Sequence, residues 1–110
     1  MIIVLIKLRG KKINIIEMKS IKDKIKSLKF VLEPIDYGIF FQNKKIINTY
    51  FFCQRVDICC CDKNHKIIKL FEDFPSEKIR FVKKCYYIYY LPLNTCKFYD
   101  IGEIFKVKEQ

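Results

Sequence analysis

Apolar positions in this chain come in short β-branched or aromatic blocks, and turn residues separate the blocks. Residues 2–8 form the first block and residues 12–18 the second, with Arg9-Gly10-Lys11 between them. Glycine accepts the positive φ of a tight turn, so the chain opens with a predicted hairpin. The period then changes. Ile21, Ile25 and Leu28 fall at helical spacing, and Ser20 and Asp23 have the spacing of a capping box, so a short helix is predicted over 20–29. Strand patterns return at 37–41, 46–53, 54–61, 66–71, 85–91 and 103–108, with a shorter one at 79–83. Residues 54–61 either continue the preceding strand or follow it after a bend. Asp62-Lys63-Asn64-His65 is the strongest turn signal in the sequence, and Leu93–Tyr99 reads as a helical turn or loop.

Many short strands, one helix and no βαβ rhythm predict a mainly β (β-rich α+β) fold. The expected architecture is a small compact β-barrel with its helix between the second and third strands. At 110 residues the chain is expected to be one domain, 1–110, with a core of its own.

Composition changes the picture in two ways. There is no Ala and no Trp, Lys and Ile dominate, and arginine occurs only at Arg9, Arg55 and Arg80. An AT-rich coding sequence would produce that bias, which discounts both the aromatic richness and the net charge of +10. The charge is nevertheless uneven. The first 30 residues hold nine basic side chains against Glu17 and Asp23, and Lys22, Lys26 and Lys29 line one side of the predicted helix. A basic face of that kind attracts nucleic acid, anionic membrane or an acidic partner. Under the competing view, lysine merely fills solvent-facing positions.

The opening apolar run, Met1–Lys7, lacks a basic leader and is too short for a membrane span, so a cytoplasmic location is expected. The six cysteines are then expected to be reduced.

The order of several short motifs resembles domain-of-unknown-function family 192, small conserved barrel proteins of bacteria and archaea. Asp23-Lys24 with Ser27-Leu28-Lys29 stands where that family has an acidic-basic pair and a Gly-Leu-Met segment. Gly38-Ile39-Phe40-Phe41 matches its Gly-Met-Leu-Phe strand, and Phe52-Cys53 its aromatic-Met stretch. Val56-Asp57 and Cys61-Asp62 match its two Leu-Asp pairs, and Ile67-Ile68 its Val-Val. Tyr87–Pro92 matches its late strand and Gly102-Glu103 its Gly-Asp turn. Ser27, Tyr90 and Glu103 depart from the family residues, and Asn94 stands near an expected Gly. The resemblance implies a barrel fold and no activity.

Among candidate chemical groups, Asp57 lies between Val56 and Ile58, where a buried carboxylate needs partners. It either orients a ligand or takes part in acid–base work, with Arg55 and Asp62 as the other members of the expected polar site, or it binds backbone amides at a strand bend. Cys59-Cys60-Cys61 alternates across a strand and forms no C-x-x-C pair, so no metal and no cofactor are expected. A Cys–His nucleophile drawn from Cys53, Cys85 or Cys96 with His65 has no spacing to support it. Tyrosines at 86, 87, 89 and 90 put rings on both faces of one strand, where they fill a core or stack bases. The expected function is a small non-catalytic binding or interaction module for an anionic partner or small ligand. The alternatives are an enzyme or ligand pocket around Asp57 and Arg55, and a purely structural accessory subunit.

Overall fold

The computed structural model describes residues 3–8, 11–17, 31–105 and 108–109. Among them run nine strands: β1 (Ile3–Leu8), β2 (Lys11–Glu17), β3 (Gly38–Gln42), β4 (Ile46–Asn48), β5 (Val56–Cys61), β6 (Ile67–Phe74), β7 (Ile79–Phe81), β8 (Tyr87–Leu91) and β9 (Lys108–Glu109). A single 3-10 turn, Cys96–Phe98, follows β8. The predicted helix over 20–29 lies outside the described residues.

Seven strands form one sheet in the order β6-β5-β8-β3-β2-β1-β9, and β4 pairs with β7 as a separate ribbon. The opening hairpin is present, with Val4 opposite Ile15 and Ile6 opposite Ile13. One pairing is parallel rather than antiparallel: β2 and β3 run side by side, with Ile16 opposite Ile39. Parallel neighbours need a crossover of a dozen or more residues, and 18–37 supplies it.

The mainly β class holds, but the barrel does not close. The sheet keeps two edges, β6 and β9. A closed barrel needs a continuous ladder between them. Here β9 is two residues long and pairs with β1. The segment before it touches the other edge through the single bridge Lys66–Ile104 and three backbone bonds: Ile67 N–H to Glu103 O, Gly102 N–H to Ile67 O and Phe105 N–H to His65 O.

The expected strand over 46–53 stops at Asn48. Thr49 turns the chain there. Its hydroxyl donates to the Pro75 carbonyl at 2.8 Å and accepts the Lys78 amide at 3.0 Å, and Phe51 takes a φ of 67°.

Alternation of side chains builds a core on each face of the sheet. On one face Ile39, Ile58, Cys60, Ile88 and Tyr90 pack under Ile47 and Val82 from the ribbon side. On the other, Ile15, Phe40, Cys59, Cys61, Tyr89 and Leu91 pack under Cys96 and Phe105 from the C-terminal segment. Every residue of β5 is therefore buried, which explains why it reads as an almost unbroken apolar run. Gly38 lets β8 approach β3 closely, since a Cβ there would stand 2.8 Å from Leu91 Cδ2 and 3.2 Å from the Tyr90 carbonyl oxygen.

Candidate functional site

β5 separates two polar ends. Asp57 stands at its start and Asp62 just past its finish, five residues or roughly 17 Å apart. The three expected polar residues Arg55, Asp57 and Asp62 therefore do not form one site.

At the first end, β6 bulges against β5, so that Val56 faces Phe74 while Ile58 faces Phe71. Asp57 is 1% exposed and fills the bulge. Its Oδ1 accepts the Asp73 amide at 2.9 Å, and its Oδ2 accepts the Cys96 amide at 2.9 Å. One carboxylate thus fixes the bulge and ties the 3-10 turn to the sheet. Asp73 adopts a φ of 55°, and its side chain and carbonyl receive Arg55 at 2.6 and 2.7 Å. That ion pair is exposed. A shallow cavity of about 270 Å³ beside it is lined by Asp57, Glu72, Asp73, Leu93 and Asn94. With both its oxygens on backbone amides, Asp57 acts as an architectural group. Arg55 joins it only through Asp73.

At the second end, Asp62 shapes the β5–β6 hairpin. Its Oδ1 accepts the amides of Asn64 and Lys66 at 2.9 and 3.0 Å, and its own amide donates to the Lys66 carbonyl. The pairings Gln42–Tyr87 and Cys61–Tyr87 put the loops 43–45, 62–66 and 82–86 at this same end. Backbone bonds join them: Lys44 N–H to Tyr86 O at 3.2 Å, Tyr86 N–H to Cys61 O at 2.8 Å and Val82 N–H to Lys45 O at 2.7 Å.

The three loops carry Lys44, Lys45, Lys63, Lys66, Lys83 and Lys84, all exposed, and one carboxylate, Asp62. No ion pair within the described residues engages any of the six lysines. Asp100, Glu103 and the buried Glu17 lie nearby. Glu103 accepts the Asp100 amide at 2.6 Å, and Glu17 accepts the Gln42 side-chain amide at 3.2 Å.

Between the loops sits a row of rings. Tyr86 meets Tyr87 edge-on at 4.7 Å, Tyr87 stacks on His65 at 4.4 Å, and the Lys63 ammonium lies 5.8 Å from the centre of the Tyr86 ring. His65 Nδ1 is buried with no hydrogen-bond partner among the described residues. Burial raises Tyr87 above its ordinary value, with smaller contributions from Tyr86 and the Glu17 carboxylate.

The opposite end is mixed in charge. Residues 31–37, 49–57 and 72–78 hold Glu33, Asp36, Asp57, Glu72, Asp73 and Glu77 against Arg55 and Lys78. The β1–β2 hairpin, with Lys7, Lys11 and Lys12, turns at this same end, because β2 runs parallel to β3 and antiparallel to β1.

In the sequence Asp62–His65 reads as a turn, whereas 82–86 falls mostly within the predicted strands 79–83 and 85–91. The missed signal was that antiparallel strands send every second turn to the same end, and these turns carry the pairs Lys44-Lys45 and Lys83-Lys84. The expected basic face of Lys22, Lys26 and Lys29 lies outside the described residues.

The cysteines form no candidate metal centre among the described residues. All six are free thiols, and Cys53 alone is exposed. Cys59 Sγ lies 3.8 Å from Cys61 Sγ, and its hydrogen bond to Cys61, together with burial, raises its pKa. Burial raises Cys96, whose thiol donates to the Ile58 carbonyl at 3.4 Å.

These observations define a small β protein with an open mixed sheet and a basic loop cluster at one end. Two solved structures share the fold. A candidate transcription regulator of Sinorhizobium meliloti 1021 aligns with a TM-score of 0.72 at 14% identity, over 99% of this chain and 92% of its own. A protein of unknown function from Novosphingobium aromaticivorans aligns with a TM-score of 0.72 at 11% identity, over 99% of this chain and 84% of its own. No family model matches the chain, and no curated protein does either. Among the described residues, no helix is long and apolar enough to cross a membrane.

Proposed function

We propose that this chain is a small, non-catalytic, cytoplasmic binding module whose anionic partner docks on the loops 43–45, 62–66 and 82–86. The carrying observation is the lysine cluster. Six exposed lysines from three adjacent loops gather at one end of the sheet, and no ion pair among the described residues engages them. Ammonium groups held together without carboxylate partners repel one another, and a polyanion relieves that repulsion while releasing its own counterions. The enzyme alternative built on Asp57 and Arg55 loses support, because Asp57 spends both oxygens on backbone amides and Arg55 is held by Asp73.

We further propose membership of domain-of-unknown-function family 192. The motif order supports it: Gly38–Phe41 lies on β3, Val56-Asp57 and Cys61-Asp62 bracket β5, and Tyr87–Leu91 is β8.

The test of the docking surface is equilibrium binding of inorganic polyphosphate at low and moderate salt. Wild type should bind at low salt, and its affinity should fall steeply as salt rises. The triple variant Lys44→Glu/Lys63→Glu/Lys84→Glu should lose binding while keeping its thermal midpoint within a few degrees, because exposed charges contribute little to stability. No binding by wild type at low salt, or full binding by the variant, would overturn the proposal.

A further inference from the structure

Resting on the polyanion reading, we infer that the partner is single-stranded nucleic acid, bound by stacking a base on Tyr86 while the surrounding lysines hold its phosphates. Three features of the basic end carry this.

The first is the ring itself. Tyr86 is held by backbone bonds on both sides, donating to Cys61 and accepting from Lys44, so its side chain stands at the junction of the three lysine loops. Tyr87 buttresses it edge-on, and His65 stacks behind Tyr87, so the ring is braced from below. What lies over the Tyr86 face is the ammonium of Lys63, an exposed side chain with no ion pair among the described residues. Exposed cation–π contacts are weak, so a base can displace the ammonium, which then meets the phosphate of the same nucleotide.

The second feature is the kind of cation. All six basic residues of the three loops are lysines. Lysine acts as a point charge on phosphate, whereas bidentate reading of a guanine edge uses the arginine fork. The surface is thus built to hold a backbone without strong sequence preference.

The third is what the end lacks. The helical element among the described residues is a 3-10 turn of three residues, and it belongs to the segment after β8. The three loops are tight turns, with Asn43, His65 and Lys84 at positive φ. A rim of short loops around a row of rings suits splayed bases better than the groove of a duplex.

The experiment uses the full chain and fluorescence anisotropy with labelled oligothymidylate and oligouridylate of about 12 nucleotides, within the usual range of single-strand site sizes. A duplex of the same length and unlabelled polyphosphate serve as competitors. Single strands should bind more tightly than duplex. Tyr86→Leu, which keeps bulk and removes the ring, should weaken single-strand binding about tenfold and leave polyphosphate binding unchanged, whereas Tyr86→Phe should retain both. Tighter binding of duplex, or a Tyr86→Leu variant that binds single strands like wild type, would overturn the stacking inference alone. Absence of binding to oligonucleotide and polyphosphate alike would overturn the polyanion reading with it.

Discussion

Replacing Asp57 by alanine should be among the most damaging single changes in the chain, for reasons unrelated to catalysis. The carboxylate is buried and accepts two backbone amides, from Asp73 and Cys96, each at 2.9 Å. Alanine leaves both donors without an acceptor. Hydrogen bonds to a charged group contribute about 1.5–3 kcal/mol each, so the expected loss is about 3–6 kcal/mol. That is a large share of the ~5–15 kcal/mol available to a domain of this size. With a urea slope of about 1–3 kcal/mol/M, the midpoint of unfolding should fall by roughly 2 M. Asp57→Asn keeps one acceptor but turns an amide donor toward the other N–H, so about half that shift is expected. Arg55→Ala is the internal control. Its ion pair with Asp73 is exposed, and such pairs contribute about 0–1 kcal/mol. The assay is urea unfolding followed by far-ultraviolet circular dichroism. An Asp57→Ala midpoint as close to wild type as that of Arg55→Ala would refute the architectural role.

Three further outcomes are expected. Gly38→Ala should lower stability by about 1–3 kcal/mol in a thermal melt, because its Cβ would collide with Leu91 and the Tyr90 carbonyl; an unchanged melting temperature would contradict the close approach of β3 and β8. In a thiol-reactivity assay one cysteine, Cys53, should react rapidly in the native protein and the other five only after denaturation; several fast thiols would contradict the packing of β5. Burial raises Tyr87, Tyr89, Tyr90 and Tyr99 in the folded state, Tyr99 to about 12, while unfolded tyrosine ionises near pH 10. Stability from these groups is therefore complete below about pH 10 and lost as pH rises through the folded values. Tyrosinate absorbance should rise together with loss of circular dichroism, and full ionisation near pH 10 with the fold intact would contradict it.

Much of the strand layout was legible in the sequence because period-2 alternation and turn residues are local. The hairpin of β1 and β2, the strands β3, β5 and β8, and the Asp62 turn all follow from such signals. The parallel pairing of β2 with β3 was not legible, since it depends on where a long crossover returns the chain. β4 was overextended because Tyr50-Phe51-Phe52 looks like a strand, and the buried hydroxyl of Thr49 that breaks it acts through Pro75 and Lys78, far along the chain. The candidate site failed in an instructive way. Asp57 stood out as a lone charge in an apolar strand, and its partners are backbone amides that no side-chain motif announces. The lysines were visible one by one, but only strand order brings their loops to one end of the sheet.

The most direct test of the docking surface is to follow backbone amide resonances while inorganic polyphosphate is titrated into the labelled protein at low salt. The largest shifts should fall on residues 43–45, 62–66 and 82–86, with little change around Asp57, Glu72 and Asp73. Shifts centred on that opposite end, or no shifts at all, would contradict the account.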